Sequence, residues 1–145
     1  MKPMLIGAAA LLFACPVAVS AQDEGANSLD LGTVSRCAAV HNVMSVRAEE
    51  GSPAGVLATR RFLQFYFLTV LLSEADAHDE LTLDEAKTVF NGDRAKAEKE
   101  VEAALAGGAT GPLFVKDVAA CDAVRASNAA LFAMLDERID SELAK

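Results

Sequence analysis

The chain has 145 residues, of which 52% are hydrophobic and 23% charged, and its formal net charge is −8. This composition is typical of one globular domain and argues against a disordered, collagen-like or coiled-coil chain. An acidic surface repels phosphate backbones, so we expect no nucleic-acid binding.

Residues 1–21 have the pattern of a secretory signal peptide. Lys2 precedes an apolar run over residues 5–14, and residues 19–21 read Val-Ser-Ala, the small-residue spacing that signal peptidase cleaves. We therefore expect cleavage after this triplet and export, to the periplasm if the source is bacterial, or into the medium. The alternative is lipid attachment at Cys15, which would anchor the exported chain.

Export changes the interpretation of the cysteines. Cleavage leaves Cys37 and Cys121, an even number in an oxidising compartment, which predicts one intramolecular disulfide. A competing interpretation pairs Cys37 with His41, one helical turn later, as metal ligands or as a nucleophile and its base. Two such groups make only half of a site, so the disulfide is the prediction.

Four helices are predicted after a polar lead-in over residues 22–32. Their limits follow from local signals, such as Ser52 as a cap before Pro53, which suits a first helical position. Thr82 to Glu85 has the form of a capping box, and Gly107 follows a helix end. The predicted helices span residues 33–50, 53–80, 82–106 and 112–143.

Short connections between long helices favour antiparallel neighbours. The sequence therefore predicts an all-α fold, an up-down-up-down four-helix bundle over residues 33–145, as a single domain. In that arrangement the first and last helices are adjacent, so the disulfide would join them.

The second predicted helix is apolar on almost every face over residues 62–72. This stretch is shorter than the about 20 residues that cross a bilayer, so we expect no membrane span in the mature chain. A helix that is hydrophobic all round is buried all round, either in its own core or against a partner.

Helices of unequal length leave part of the bundle without a fourth partner. Either Leu29 and Leu31 of the lead-in cover this end, or it forms a groove for a ligand or a second subunit. The candidate interaction surface comprises Phe62, Phe65, Tyr66, Val70, Phe132, Leu135 and Ile139.

Few residues suggest metal or polar chemistry. Glu74 and His78 lie one turn apart and, with His41, are weak candidates for a metal ion. Arg125 and Asn128 fall on the apolar seam of the last predicted helix, where buried polar groups either line a pocket or fix the packing of the helices.

Catalytic signatures are absent from the sequence. It has no phosphate-binding glycine loop, no serine nucleophile elbow and no haem-attachment motif, so we expect no enzymatic activity and no cofactor. The plan of a short, exported, helical chain with one disulfide is similar in kind to that of small acid-protective periplasmic chaperones. This resemblance implies only an all-helical fold and an exported location.

Two functions remain open at this stage. The first is a non-enzymatic helical module that acts through protein-protein contact, as a chaperone-like or inhibitor-like partner of an envelope protein or as a homodimer. The second is a carrier of a small molecule or metal ion in a groove between the second and fourth helices.

Overall fold

The computed structural model describes residues 29–75 and 83–144, and this part of the chain is all helical, with no strand. The predicted signal peptide lies outside these residues. The helices are α1 (Leu31–Arg47), α2 (Pro53–Ala75), α3 (Leu83–Ala106), α4 (Val115–Ser127) and α5 (Ala129–Leu143).

Local capping sets the ends of α1 and α2. The carboxylate of Asp30 accepts a hydrogen bond from the backbone N–H of Thr33 at 2.9 Å, so α1 begins at Leu31, inside the predicted lead-in. The helix ends at Arg47, earlier than the predicted residue 50. Ser52 caps α2 as predicted, since its hydroxyl accepts from the N–H of Gly55 at 3.1 Å.

The third helix follows its sequence signals. It begins at Leu83 and ends at Ala106, and Gly108 after it adopts a φ of 78°, the left-handed conformation that glycine tolerates. The predicted capping residue Thr82 lies outside the described residues, as does the predicted end of the second helix.

The prediction of one long last helix is wrong. Two helices, α4 and α5, meet at Asn128 at an angle of 97°. The Asn128 side-chain amide donates to the carbonyl of Val124 at 2.9 Å, which is the acceptor that its own backbone N–H would use in a continuous helix. That N–H donates to Arg125 instead, at 3.3 Å. The predicted four-helix up-down topology is therefore not confirmed.

The centre of the fold is α1. Its buried residues include Val34, Ala38, Ala39 and Val40, and it lies against α2, α3 and α4. Small alanine side chains on α1 allow these neighbours to approach closely. Within its apolar stretch, the second helix buries Phe65 and Leu68 and exposes Phe67 and Leu71, so the chain itself covers only part of this surface.

The predicted disulfide is confirmed. Cys37 of α1 and Cys121 of α4 are bonded, with their Cα atoms 5.6 Å apart, and both are buried. The bond therefore joins α1 to α4, the first and fourth of the five helices in the described part of the chain.

The end of the lead-in contributes to the core. Leu29 packs against the main buried cluster, which includes Phe65 and Phe132, and Leu31 is half-buried in the first turn of α1. The packing of Leu29 supports the alternative in which the lead-in covers apolar surface.

Candidate functional site

The predicted interaction surface lies largely in the core. Phe65 is buried and meets Phe132 edge to face, with ring centroids 5.1 Å apart. Phe62 and Tyr66 are half-buried and pack against Phe90 of α3, at 5.9 and 5.1 Å between centroids. These contacts hold the aromatic face of α2 against its own chain.

The remaining residues of the predicted interaction surface are also either buried or half-buried. Leu135 and Ile139 are buried, whereas Val70 is half-buried. Only Phe62, Tyr66 and Val70 of the seven therefore keep accessible area in the folded chain, and their role toward a partner stays a prediction.

The metal candidates do not meet in the part of the chain that the structure describes. His78 and the side chain of Glu74 lie outside it, and His41 is buried. Among the described residues, no group of three or more His, Cys, Asp or Glu side chains is placed to hold a metal ion.

An apolar groove of about 480 Å³ lies between the end of α1, the start of α2 and the end of α5. Pockets of this volume with mostly apolar walls are typical binding sites. Its apolar walls are Val46, Val56, Leu63, Ile139 and Leu143.

Close packing at Gly55 shapes one side of the groove. A Cβ atom at this position would lie 3.1 Å from the Cβ of Ala48 and 3.1 Å from the hydroxyl of Ser52. Glycine therefore allows the connection between α1 and α2 to lie directly against the first turn of α2.

The groove offers apolar contact rather than free hydrogen-bonding groups. The hydroxyl of Ser45 donates to the carbonyl of Asn42 at 2.8 Å, and that of Thr59 donates to the carbonyl of Gly55 at 2.9 Å. By contrast, large apolar side chains at its rim are open to solvent: Val46 is 77% exposed, Val56 60% and Leu143 74%. Clustered exposure of this kind marks interaction sites.

The charged residues beside the groove leave it acidic. Arg60, on its wall, pairs with Asp136 and Asp140 of α5. Hydrogen bonds from Arg60 hold the pKa of Asp140 below its usual range. Glu49 and Glu50 are exposed in the adjoining connection, and Glu50 lines the groove.

A polar cluster lies outside the groove. It is formed by side chains of α1, α2 and α4, namely His41, Arg61, Gln64, Asp122 and Arg125. Arg61 and Asp122 form an ion pair at 2.8 Å, and the Nε of Arg125 donates to Oε1 of Gln64 at 3.1 Å. The predicted seam residue Arg125 thus ties α4 to α2.

Burial strongly disfavours the charged form of His41. Desolvation, together with the nearby positive charge of Arg61 and Arg125, lowers the pKa of His41 to about 4, against an opposing contribution from Asp122. Neither ring nitrogen has a hydrogen-bond partner among the described residues. The imidazole is therefore neutral at neutral pH and stacks against Phe65.

Sequence reasoning missed the groove because its walls come from helix ends. Val46 and Val56 lie on either side of the connection between α1 and α2, and Leu143 lies at the end of α5. The sequence did contain one signal for it. Val46 and Val56 flank the connection between α1 and α2, and neither belongs to the set of apolar residues that faces the core.

Among the described residues, one helical stretch, Pro53–Leu72, is long and apolar enough to cross a membrane by length and composition. The bent pair of α4 and α5 would be a second candidate membrane span only if the two helices together formed a single span. This stretch is longer than the apolar run over residues 62–72, from which no membrane span was expected. Buried core helices have the same length and composition, and α2 buries Gln64, Phe65, Leu68 and Thr69 against its neighbours.

No protein-family model, no curated protein and no solved structure matches this chain. Inference about its function therefore depends on the two features above, the apolar groove and the polar cluster.

Proposed function

We propose that this protein is an exported, non-enzymatic helical module that holds an apolar segment of an envelope protein in the groove between α1, α2 and α5. The observation that carries the proposal is the groove itself, with three large aliphatic residues exposed at its rim. Burying such side chains on association contributes about 25 cal/mol per Å² of apolar area removed from water.

Charge determines which partner fits. Glu49 and Glu50 carry two negative charges beside the groove, while Arg60 is already paired with Asp136 and Asp140. An amphipathic segment with apolar residues on one face and lysine or arginine at its flanks would complement this surface. The partner chemistry is therefore a basic amphipathic helix, consistent with a chaperone-like or inhibitor-like role.

The chemistry of the lining supports binding rather than catalysis. The hydroxyls of Ser45 and Thr59 donate to backbone carbonyls, so neither is poised beside a base. The lining residues that the structure describes include no imidazole and no thiol. Export is supported by the predicted signal peptide together with the disulfide, a bond that persists in oxidising compartments.

A charge introduced at the rim is expected to weaken this binding without unfolding the protein. Val56→Asp should weaken binding of a leucine-lysine amphipathic peptide by about tenfold or more, because it places a carboxylate in the apolar contact. Fluorescence anisotropy with the labelled peptide measures the affinity, and circular dichroism checks the fold.

Val115→Asp is the matched control. Val115 is also 60% exposed and also lies in the first turn of a helix, but it lies outside the groove. Equal loss of affinity in the two variants would contradict the proposal, as would equally tight binding of a leucine-glutamate peptide. A photo-crosslinker placed at Val56 in exporting cells, with the same probe at Val115 for comparison, would then identify the partner by mass spectrometry.

A further inference from the structure

A second cavity, a cleft of about 450 Å³, lies between α2, α4 and α5. It is separate from the groove: Arg60 lines the groove, Asp136 lines the cleft, and their ion pair lies between the two. The other charged residues of the cleft are Arg61, Asp122 and Arg125, all from the polar cluster.

The charges in the cleft are unevenly placed. Asp136 is held by Arg60 from outside, which leaves Arg61 and Arg125 to share the one carboxylate of Asp122. Asp122 lies 2.8 Å from Nη1 of Arg61 but 4.0 Å from Nη1 of Arg125. The four charged residues that line the cleft therefore balance in total, but at the end formed by Arg61 and Arg125 two guanidinium groups share a single carboxylate.

Hydrogen-bond donors in the cluster are in excess. Two donors, the Nε of Arg61 and the Nε2 of Gln64, are buried and find no acceptor among the described residues, against one carboxylate acceptor, Oδ1 of Asp122, that is buried without a hydrogen bond although it lies 2.8 Å from Nη1 of Arg61. Arg125 fixes the orientation of the Gln64 amide. Because a guanidinium group can only donate hydrogen bonds, the atom that faces it must be the amide oxygen Oε1, and Nε2 points elsewhere. Because an unsatisfied buried donor is costly, an incoming acceptor would be stabilised here.

The rest of the cleft wall is apolar and small. Ala126, Ala129 and Ala133 leave room, and Phe132 lies beneath Arg125, whose guanidinium carbon is 5.5 Å from the ring centroid. This stacking orients the planar guanidinium, the group that matches a carboxylate with two parallel hydrogen bonds.

We propose that this cleft binds a small organic carboxylate, with Arg61 and Arg125 on the carboxylate and the alanine and Phe132 wall on its apolar body. Two guanidinium groups beside one carboxylate suit a monoanion, and an apolar wall favours an organic acid over inorganic phosphate. This site does not rest on the proposed function of the groove.

Benzoate is a suitable probe because benzamide has the same shape without the charge. Titration calorimetry of the mature, disulfide-bonded protein at pH 7 is expected to show saturable one-site binding of benzoate. Benzamide and inorganic phosphate should each bind at least about tenfold more weakly. No saturable benzoate binding at millimolar concentration, or equal binding of benzamide or phosphate, would overturn the proposal.

Two pairs of variants locate the binding. Arg125→Met should lower benzoate affinity by about tenfold or more. Ala129→Leu should block the cleft without changing any charge, whereas Ala130→Leu, at the next exposed position of α5 but off the cleft, should bind like the wild type. Unchanged affinity in Ala129→Leu would refute the site even if Arg125→Met failed to fold. Val56→Asp should leave benzoate binding intact, which separates this test from that of the groove.

Discussion

Removing the disulfide by the double substitution Cys37→Ala and Cys121→Ala is expected to lower the free energy of unfolding by about 4 kcal/mol. The bond joins residues 84 positions apart, so it restricts a long loop in the unfolded chain. In the chain-entropy account this restriction accounts for most of the loss. A loss of this size is comparable to the whole stability of a small domain.

The loss of the disulfide should destabilise α4 most. Apart from the disulfide, α4 is held to the rest of the chain by side-chain contacts that include Arg36 with Asp117 and Arg61 with Asp122. The ion pairs are partly exposed, and such pairs contribute little. We therefore expect α4 to be the first helix to lose protection from hydrogen exchange in the variant.

Urea denaturation of the oxidised protein, the reduced protein and the alanine variant measures the effect. The reduced wild type and the variant should agree, because both lack the same covalent constraint. A difference below about 1 kcal/mol between the oxidised protein and both of these would contradict the prediction.

The second large effect concerns pH and His41. Because the folded-state pKa is about 4 while an unfolded histidine titrates near 6.5, the unfolded chain binds the extra proton first as the pH falls. The stability that depends on the neutral imidazole is therefore complete above pH 6.5 and is lost progressively as the pH falls toward 4. The expected loss is about 3 kcal/mol.

Desolvation of the buried imidazole is the main cause of this sign, and the charged groups around it add to the effect. Arg61 on α2 and Arg125 on α4 both oppose a positive charge on His41, and Asp122 offsets them only in part. Protonation would also place a cation in a site where neither ring nitrogen has a partner among the described residues.

Comparison with His41→Gln isolates this contribution from the titration of carboxylates. Denaturation curves between pH 7 and pH 4 should show the wild type losing about 3 kcal/mol more than the variant. His78→Gln, which removes the chain's other imidazole, is the matched control and should keep the wild-type slope. Parallel pH profiles for the wild type and His41→Gln would contradict the prediction, and NMR titration of the His41 ring would test it in the unmutated protein.

The helix α5 would serve both proposed sites. Ile139 and Leu143 form part of the groove, and Ala129, Phe132 and Ala133 form part of the cleft. This arrangement depends on the bend at Asn128, which turns α5 away from the direction of α4 by 97°.

Local sequence signals determined the helical class, the start of α2, the end of α3 and the disulfide. Ser52 and Pro53 act through bonds within one helical turn, so their effect can be read without a neighbour. The pairing of Cys37 with Cys121 followed from the predicted removal of Cys15 with the signal peptide, which leaves two cysteines and a single connectivity.

The tertiary structure decided the break at Asn128, the central position of α1 and both cavities. At Asn128 the side-chain amide and the backbone N–H compete for the carbonyl of Val124. Packing on either side of the bend decides that the side chain makes this hydrogen bond. The apolar periodicity through Phe132 and Ile139 is the same for one long helix as for two. Whether an apolar residue such as Val56 becomes core or groove depends on which helix lies beside it, and that is a property of the assembled fold rather than of the local sequence.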